Sequence, residues 1–195
     1  MQRLASVLWL SFLVSPPAPG QTARPKFEAG AQFTAIHLAD VKENILGLGV
    51  RFVYNPFRRF SLDGELNSTV TNPPSATSLT GGHVLEGFFG PKAGLRKSKF
   101  GIFGKIRPGF ASFGDVVKSI DRSTFTVQFG RRTQFALDIG GVLEIYASRR
   151  VSLRYDMGDT IVFYGRQVIF PPPSPAFPGL AQHNFQFSSG ILFRF

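Results

Sequence analysis

The sequence contains no cysteine, so neither disulfide bonds nor thiolate metal ligands can hold its fold together. Charged residues are scarce at 17%, whereas glycine occurs 21 times and phenylalanine 22 times. No stretch after residue 20 approaches the ~18 consecutive apolar residues of a membrane-spanning helix. The composition is too apolar for a disordered chain and too rich in glycine and phenylalanine for an ordinary helical domain. At this length a single domain is expected.

The first twenty residues differ from the rest of the chain. Residues 1–3 form a short cationic start, residues 4–14 are mostly apolar, and a proline-rich break follows that ends at Gly20. As a helix, the apolar run would span only about 16 Å, roughly half of a bilayer core. This pattern predicts a secretory signal peptide over residues 1–20, cleaved before Gln21, and a single domain over residues 21–195.

From residue 27 onward, apolar and polar residues alternate in eight separate segments. A period of two describes a β-strand with one apolar and one polar side. Most of these segments are close to the ten residues that a tilted strand needs to cross a membrane. The last segment runs to the final residue, where Ile191, Phe193 and Phe195 share one face. The sequence therefore predicts an all-β protein.

The connections between these segments alternate between short and longer ones. Three short basic connections lie at residues 55–59, 96–99 and 148–150. The other connections are a brief one at 40–44 and three long ones at 71–82, 114–133 and 159–182. Transmembrane barrels combine tight periplasmic turns with larger outer loops in this way. We therefore predict an eight-stranded antiparallel transmembrane β-barrel with up-and-down connections and both termini in the periplasm.

Two features complicate this prediction. Pro91 and Pro108 lie inside predicted strands, where a closed barrel has no free edge, so we expect a paired bulge in that hairpin. Residues 123–130 alternate like a strand although they fall in a predicted loop. They either lengthen a hairpin beyond the membrane or belong to a ninth and tenth strand.

If the apolar face meets lipid, the polar face must line the interior. Seven acidic and seven basic residues share that face. They are Glu28, Asp63, Glu65, Glu86, Asp138, Glu144 and Asp156 with Arg51, Lys92, Arg96, Lys105, Arg107, Arg154 and Arg194. Unpaired charges would be costly there, which predicts an ion-paired interior. The predicted interior charge network consists of Glu65, Glu86, Lys105, Arg107, Asp138, Glu144 and Arg154, with Glu86 contacting Arg107.

Three segments resemble those of a known family. Residues 47–67, GLGVRFVYNPFRRFSLDGELN, resemble the strand–turn–strand of small OmpA/OmpX-type outer-membrane β-barrels, and residues 103–110, FGKIRPGF, are similar to the bacterial outer-membrane beta-barrel domain. The ending with Phe185, Phe187, Phe193 and Phe195 is similar to the family's C-terminal assembly signal.

The resemblance implies a compartment and partners. The outer-membrane insertion machinery would read the four phenylalanines, and periplasmic chaperones would deliver the chain after its secretion to the periplasm. The protein would reside as a monomer in the bacterial outer membrane, in contact with membrane lipid and lipopolysaccharide.

The residues predict no catalytic, cofactor-binding or metal site. The histidines His37, His83 and His183 fall at strand ends, and Ser189 lies too far along its strand from His183 to form a catalytic pair. A net charge of +10 resides mostly in turns and loops, without the basic helix that nucleic-acid binding would use. We predict a non-enzymatic barrel that anchors three long extracellular loops. A narrow pore, a lipid-modifying enzyme and a secreted lipocalin-like carrier remain alternatives.

Overall fold

The computed structural model describes residues 25–73, 77, 79–121, 123–124, 126–166 and 178–195. The predicted signal peptide lies outside these residues. The strands are β1 (Phe27–Leu38), β2 (Glu43–Tyr54), β3 (Phe60–Thr69), β4 (Val84–Arg96), β5 (Phe100–Asp121), β6 (Thr126–Tyr146), β7 (Val151–Tyr164) and β8 (Leu180–Arg194). They form one closed antiparallel barrel in chain order, which confirms the predicted fold. Within the described residues, no helix is long and apolar enough to cross a membrane.

The barrel closes where the first strand meets the last one. β1 pairs with β8 antiparallel, from Glu28 opposite Arg194 to His37 opposite Phe185. At the end of this ladder, Phe27 and Phe195 exchange two backbone hydrogen bonds of 3.0 and 2.9 Å. Closure therefore pairs the backbone groups of both outermost strands, as a barrel surrounded by lipid requires.

The two faces of the barrel wall differ in chemistry. Large apolar side chains point outward and are exposed, for example Val50 at 60% and Ile191 at 50%. Thr34, Ser61 and Thr160 point inward and are completely buried. Apolar residues outside and polar residues inside are the inverse of a soluble lipocalin-like carrier, because a carrier in water buries its apolar face.

The second long connection is a strand extension and not a loop. Within residues 114–133, β5 and β6 continue to pair until Asp121 lies opposite Thr126, across two register shifts between Phe113 and Ser119. The interpretation of residues 123–130 as a lengthened hairpin is therefore confirmed, whereas the predicted loop over 114–133 and the ninth and tenth strands are wrong. We call the part of the hairpin beyond Phe113 the hairpin arm.

The third long connection is shorter than predicted. β7 continues to Tyr164 and β8 begins at Leu180, so the residues at both ends of the predicted range 159–182 belong to strands. Residues 167–177 lie outside the described part of the chain.

The prolines interrupt the barrel wall without forming a bulge. β4 and β5 keep one register on both sides of Pro91 and Pro108, so the predicted bulge is wrong. Residues 89–91 instead have no assigned partners among residues 106–108. Each proline is paired with the strand on its other side. Because proline has no N–H group to donate, the ladder between β4 and β5 opens locally instead of changing register.

Candidate functional site

The lumen contains an ion-pair network near the middle of the barrel. Strand alternation brings Asp63 and Glu65 of β3 inside, opposite basic residues of other strands. Arg107 lies 2.9 Å from Glu65 and 2.7 Å from Asp138, measured between nitrogen and carboxylate oxygen. Arg154 pairs with Asp63 across the lumen. Arg51, Lys105 and Asp156 complete this group through further pairs of 2.9 to 3.4 Å.

A second set of ion pairs lies closer to the short turns. Glu144 of β6 pairs with Lys92 of β4, and both side chains are fully buried. Glu144 is also 3.4 Å from Arg96 and 3.7 Å from Arg154, and it accepts a 2.8 Å hydrogen bond from the Tyr146 hydroxyl. Arg154 therefore connects this set to the central network.

The structure brings together six of the seven residues of the predicted network and places Glu86 apart. Glu86 lies opposite Ala111 in the register of β4 against β5, so its predicted contact with Arg107 is wrong. Its inward neighbours along β4 are Val84 and Phe88. One carboxylate oxygen of Glu86 has no hydrogen-bond partner in the described residues. Glu86 marks the border between the charged and the apolar part of the lumen.

An apolar cluster fills the lumen at its loop side, and we call it the outer plug. The outer plug consists of Ile36, Leu38, Ile45, Val84, Phe88, Ala111, Phe113, Val116, Ala136, Val162 and Tyr164. The rings of Phe113 and Tyr164 stack at 6.2 Å. Sequence reasoning missed this cluster, although Ile36, Leu38 and Ile45 share the inward parity of their strands and could have indicated it.

Part of the β3–β4 connection covers the outer plug. Leu79 packs against the plug. Thr77 donates a 3.2 Å hydrogen bond to Asp40, and Thr80 also bonds to Asp40. The Val117 N–H donates to the Thr77 carbonyl at 2.9 Å. These bonds tie the connection to the turn after β1 and to the hairpin arm. The ion-pair network, the outer plug and the β3–β4 connection follow one another along the barrel axis. Side chains therefore fill the lumen, as is usual for a barrel of eight strands.

The histidines lie at the loop-side ends of the strands. His83 Nε2 is 2.9 Å from Ser68 Oγ, but none of the hydrogen bonds in the described residues joins His83 to a carboxylate. His37 contacts Asn44 at 2.9 Å, and His183 contacts Asp159 at 2.5 Å without a serine. A serine–histidine pair without an orienting acid falls short of the usual nucleophilic site. The described residues also contain no cluster of three metal-ligating side chains.

The four phenylalanines of the predicted assembly signal are all exposed on the outside, three on β8 and Phe195 directly after it, but they do not form one cluster. Phe193 and Phe195 lie at the short-turn end, where the Phe195 ring stacks on Phe27 at 6.4 Å. Phe185 lies near the loop-side end, opposite His37, and Phe187 lies between them.

Comparison with known proteins supports the fold. No protein-family model matches the chain, and no curated protein matches its sequence. Neisserial surface protein A (NspA) is similar in structure, with a TM-score of 0.54 and 10% identity over 87% of this chain and 96% of that one. Ail of Yersinia pestis, in complex with the heparin analogue sucrose octasulfate, gives a TM-score of 0.48 at 12% identity, over 87% and 96%. The N-terminal barrel domain of Pseudomonas aeruginosa OprF gives 0.47 at 11%, over 86% and 97%.

The likeness to NspA shows the fold. This chain has the fold of the small eight-stranded outer-membrane β-barrels, which is what its sequence resemblance implied.

Proposed function

We propose that this protein is an integral protein of the bacterial outer membrane whose closed barrel anchors loops at the cell surface and carries out no chemistry. The proposal rests on the distribution of side chains in the barrel wall, which has an apolar belt outside and a charged, filled interior. Soluble proteins rarely expose a continuous apolar surface of this extent. Hydrocarbon is the solvent that suits such an apolar belt, and the closed barrel has no unpaired edge strand, although the ladder between β4 and β5 opens locally.

The aromatic residues support the membrane location. Phe27 stacks on Tyr54 at 5.1 Å, and Phe57 lies 6.4 Å from Phe60, all at the short-turn end of the barrel. Aromatic girdles of this kind mark the level of the lipid headgroups in outer-membrane barrels.

The filled lumen favours an anchor over a narrow pore. A solute would have to pass both the buried ion pairs around Arg107 and the outer plug. The hairpin arm, by contrast, stands at the loop side with many exposed residues. Loops carried on a rigid scaffold are where binding function concentrates. Lipopolysaccharide and surface partners are therefore the ligands that we propose for the loops.

Accessibility of inserted epitopes in intact cells tests the location and the sidedness together. An epitope placed after Gly165 should bind antibody on intact cells, because it follows β7 on the loop side. The matched control carries the same epitope after Lys97 in a short turn, and it should bind antibody only after permeabilisation. Both proteins should fractionate with the outer membrane and need detergent for extraction. Recovery in a soluble fraction would refute membrane insertion, and antibody binding to the turn epitope on intact cells would refute the orientation.

Conductance across planar bilayers separates the anchor from the pore. The purified protein should give no steps above background, since two layers of side chains fill its lumen. Regular single-channel steps would show that the protein is a pore.

A further inference from the structure

The charged side chains in the short turns of the barrel are all basic. We call these residues the turn rim: Lys26, Arg58, Arg59, Lys97, Lys99, Arg149 and Arg150, all of which are exposed. None of the 12 acidic residues of the chain lies in the short turns. The acidic residues are either inside the lumen or at the loop side, where Asp40 and Asp121 accompany Lys42 and Lys118. Positive charge is therefore concentrated at one end of the barrel.

Backbone hydrogen bonds hold the turn rim in place around the whole circumference. The carbonyl oxygens of four rim residues accept hydrogen bonds of 2.7 to 2.9 Å from the neighbouring strand or turn. The pairs are Lys26 with Asn55, Arg59 with Gly94, Lys99 with Tyr146, and Arg150 with Arg194. Each short turn, and the residue before β1, thus contributes one basic residue whose backbone is held in place. The backbone of the turn rim is therefore ordered around the barrel.

Aromatic residues next to the turn rim would place it at the depth of the phosphate groups in a bilayer. Phe57 is 70% exposed and is followed directly by Arg58 and Arg59. Beside this turn, Phe27 follows Lys26, and its ring stacks on Tyr54 at 5.1 Å. Aromatic rings lie at the headgroup level, and long basic side chains extend from that level towards the aqueous phase. Lipid phosphates lie within reach of such side chains.

We propose that the turn rim binds phospholipids whose headgroups carry a net negative charge, as phosphatidylglycerol does, in preference to zwitterionic ones. The inference rests on the proposed function, because it requires the barrel to span a bilayer. A lipid partner fits better than a single anionic macromolecule, since the basic residues encircle the barrel beside the aromatic girdle. The carboxylates of the interior do not compete with lipid phosphate for the rim residues, because they are enclosed within the lumen. Basic residues near a membrane surface each attract anionic lipid, and the ring adds their effects.

Lipid enrichment around the folded protein tests this inference. The protein is placed in nanodiscs of phosphatidylcholine that contain a minority of phosphatidylglycerol with the same acyl chains, and the lipids that remain bound after extraction are counted by native mass spectrometry. The wild-type protein should retain phosphatidylglycerol at about threefold or more above its share in the bilayer. High salt should reduce this enrichment, because the interaction takes place at an exposed surface.

Two variants with equal charge changes make the test specific. The rim variant combines Arg58→Gln, Lys97→Gln, Lys99→Gln and Arg149→Gln, and its enrichment should fall close to one. The matched control combines Lys42→Gln, Lys118→Gln, Arg131→Gln and Arg166→Gln at the loop side, and it should keep the wild-type value. Absence of enrichment in the wild-type protein, or an equal loss in both variants, would overturn the inference.

Migration of unboiled samples on gels reports folding in the same experiment. If the wild-type barrel folds and inserts but shows no lipid preference, the proposed lipid binding of the turn rim is refuted and the proposed membrane function is not. A barrel that fails to enter nanodiscs refutes the proposed membrane function and the lipid inference with it. If the rim variant does not fold, the salt dependence of the wild-type enrichment decides, and an enrichment that high salt leaves unchanged refutes the inference.

Discussion

Lys92 and Glu144 form a buried pair whose two members depend on each other unequally. Among the carboxylates of the described residues, Lys92 pairs with Glu144 alone, and its ammonium group lies 5.0 Å from the centre of the Phe103 ring. Glu144 has three further partners, namely Arg96, Arg154 and the Tyr146 hydroxyl. Removal of the carboxylate isolates the lysine, whereas removal of the lysine leaves the carboxylate well partnered.

The expected losses of stability follow from this difference. Glu144→Gln leaves a fully buried ammonium group without an opposite charge, which costs about 3–5 kcal/mol of the free energy of unfolding. Lys92→Met should cost only about 1–2 kcal/mol, because the remaining donors satisfy Glu144. In the double variant neither charge is stranded, so its loss should be about 2 kcal/mol smaller than the sum of the single losses.

Urea titration in detergent micelles or lipid vesicles measures these free energies. The folded fraction is read from the migration of unboiled samples, and the linear extrapolation gives the free energy of unfolding. Lys118→Met on the exposed hairpin arm serves as the control and should change stability by no more than about 0.5 kcal/mol. A loss for Lys92→Met as large as that for Glu144→Gln, or strict additivity in the double variant, would refute the reasoning.

Three further predictions concern the ends of the chain and the barrel wall. Cleavage before Gln21 removes Trp9, the only tryptophan, so the mature protein should show no indole emission; emission from protein purified out of the membrane would contradict cleavage. Deletion of Phe195 should reduce membrane insertion much more than synthesis, with unfolded chain accumulating in the periplasm. If the truncated chain inserts as well as the intact one, Phe195 contributes only packing and is not part of an assembly signal. Gly109→Ala should destabilise the barrel by several kcal/mol, since the added Cβ would lie 1.9 Å from a backbone carbonyl oxygen of β4. Gly104→Ala is its control and should be nearly neutral, because nothing lies within 4 Å of that Cβ.

The architecture could be predicted from the sequence because its signal is repeated in every strand. An alternation such as Leu46, Leu48 and Val50 against inward Arg51 defines the two faces of a strand without any knowledge of its neighbours. The alternation of short and long connections then determined the strand order, and an even number of strands placed both ends of the chain together. These are local patterns, and a one-residue error in a boundary does not change them.

The contacts across the lumen could not be predicted in the same way. Which carboxylate meets Arg107 depends on the register of several strands at once, and a shift of a few residues separates Glu86 from it. The outer plug was missed because its residues come from several strands that meet only after closure. The alternation of residues 123–130 indicated part of the hairpin arm, but the choice between a longer hairpin and two further strands depended on pairing across two register shifts, which the sequence does not show.

The hairpin arm gives the barrel a long reach. β5 and β6 continue for eight residues beyond Phe113, from there to Asp121, with only each other as ladder partners. At about 3.4 Å per residue this is roughly 27 Å, nearly the thickness of a bilayer core. Near its base the arm is also held by the β3–β4 connection, where the Asp115 and Val117 N–H groups donate to the Gly81 and Thr77 carbonyls at 3.0 and 2.9 Å. The base of the arm contains both register shifts, and Phe113 and Val116 there belong to the outer plug, so the same hairpin forms the projecting surface and part of the apolar seal of the lumen.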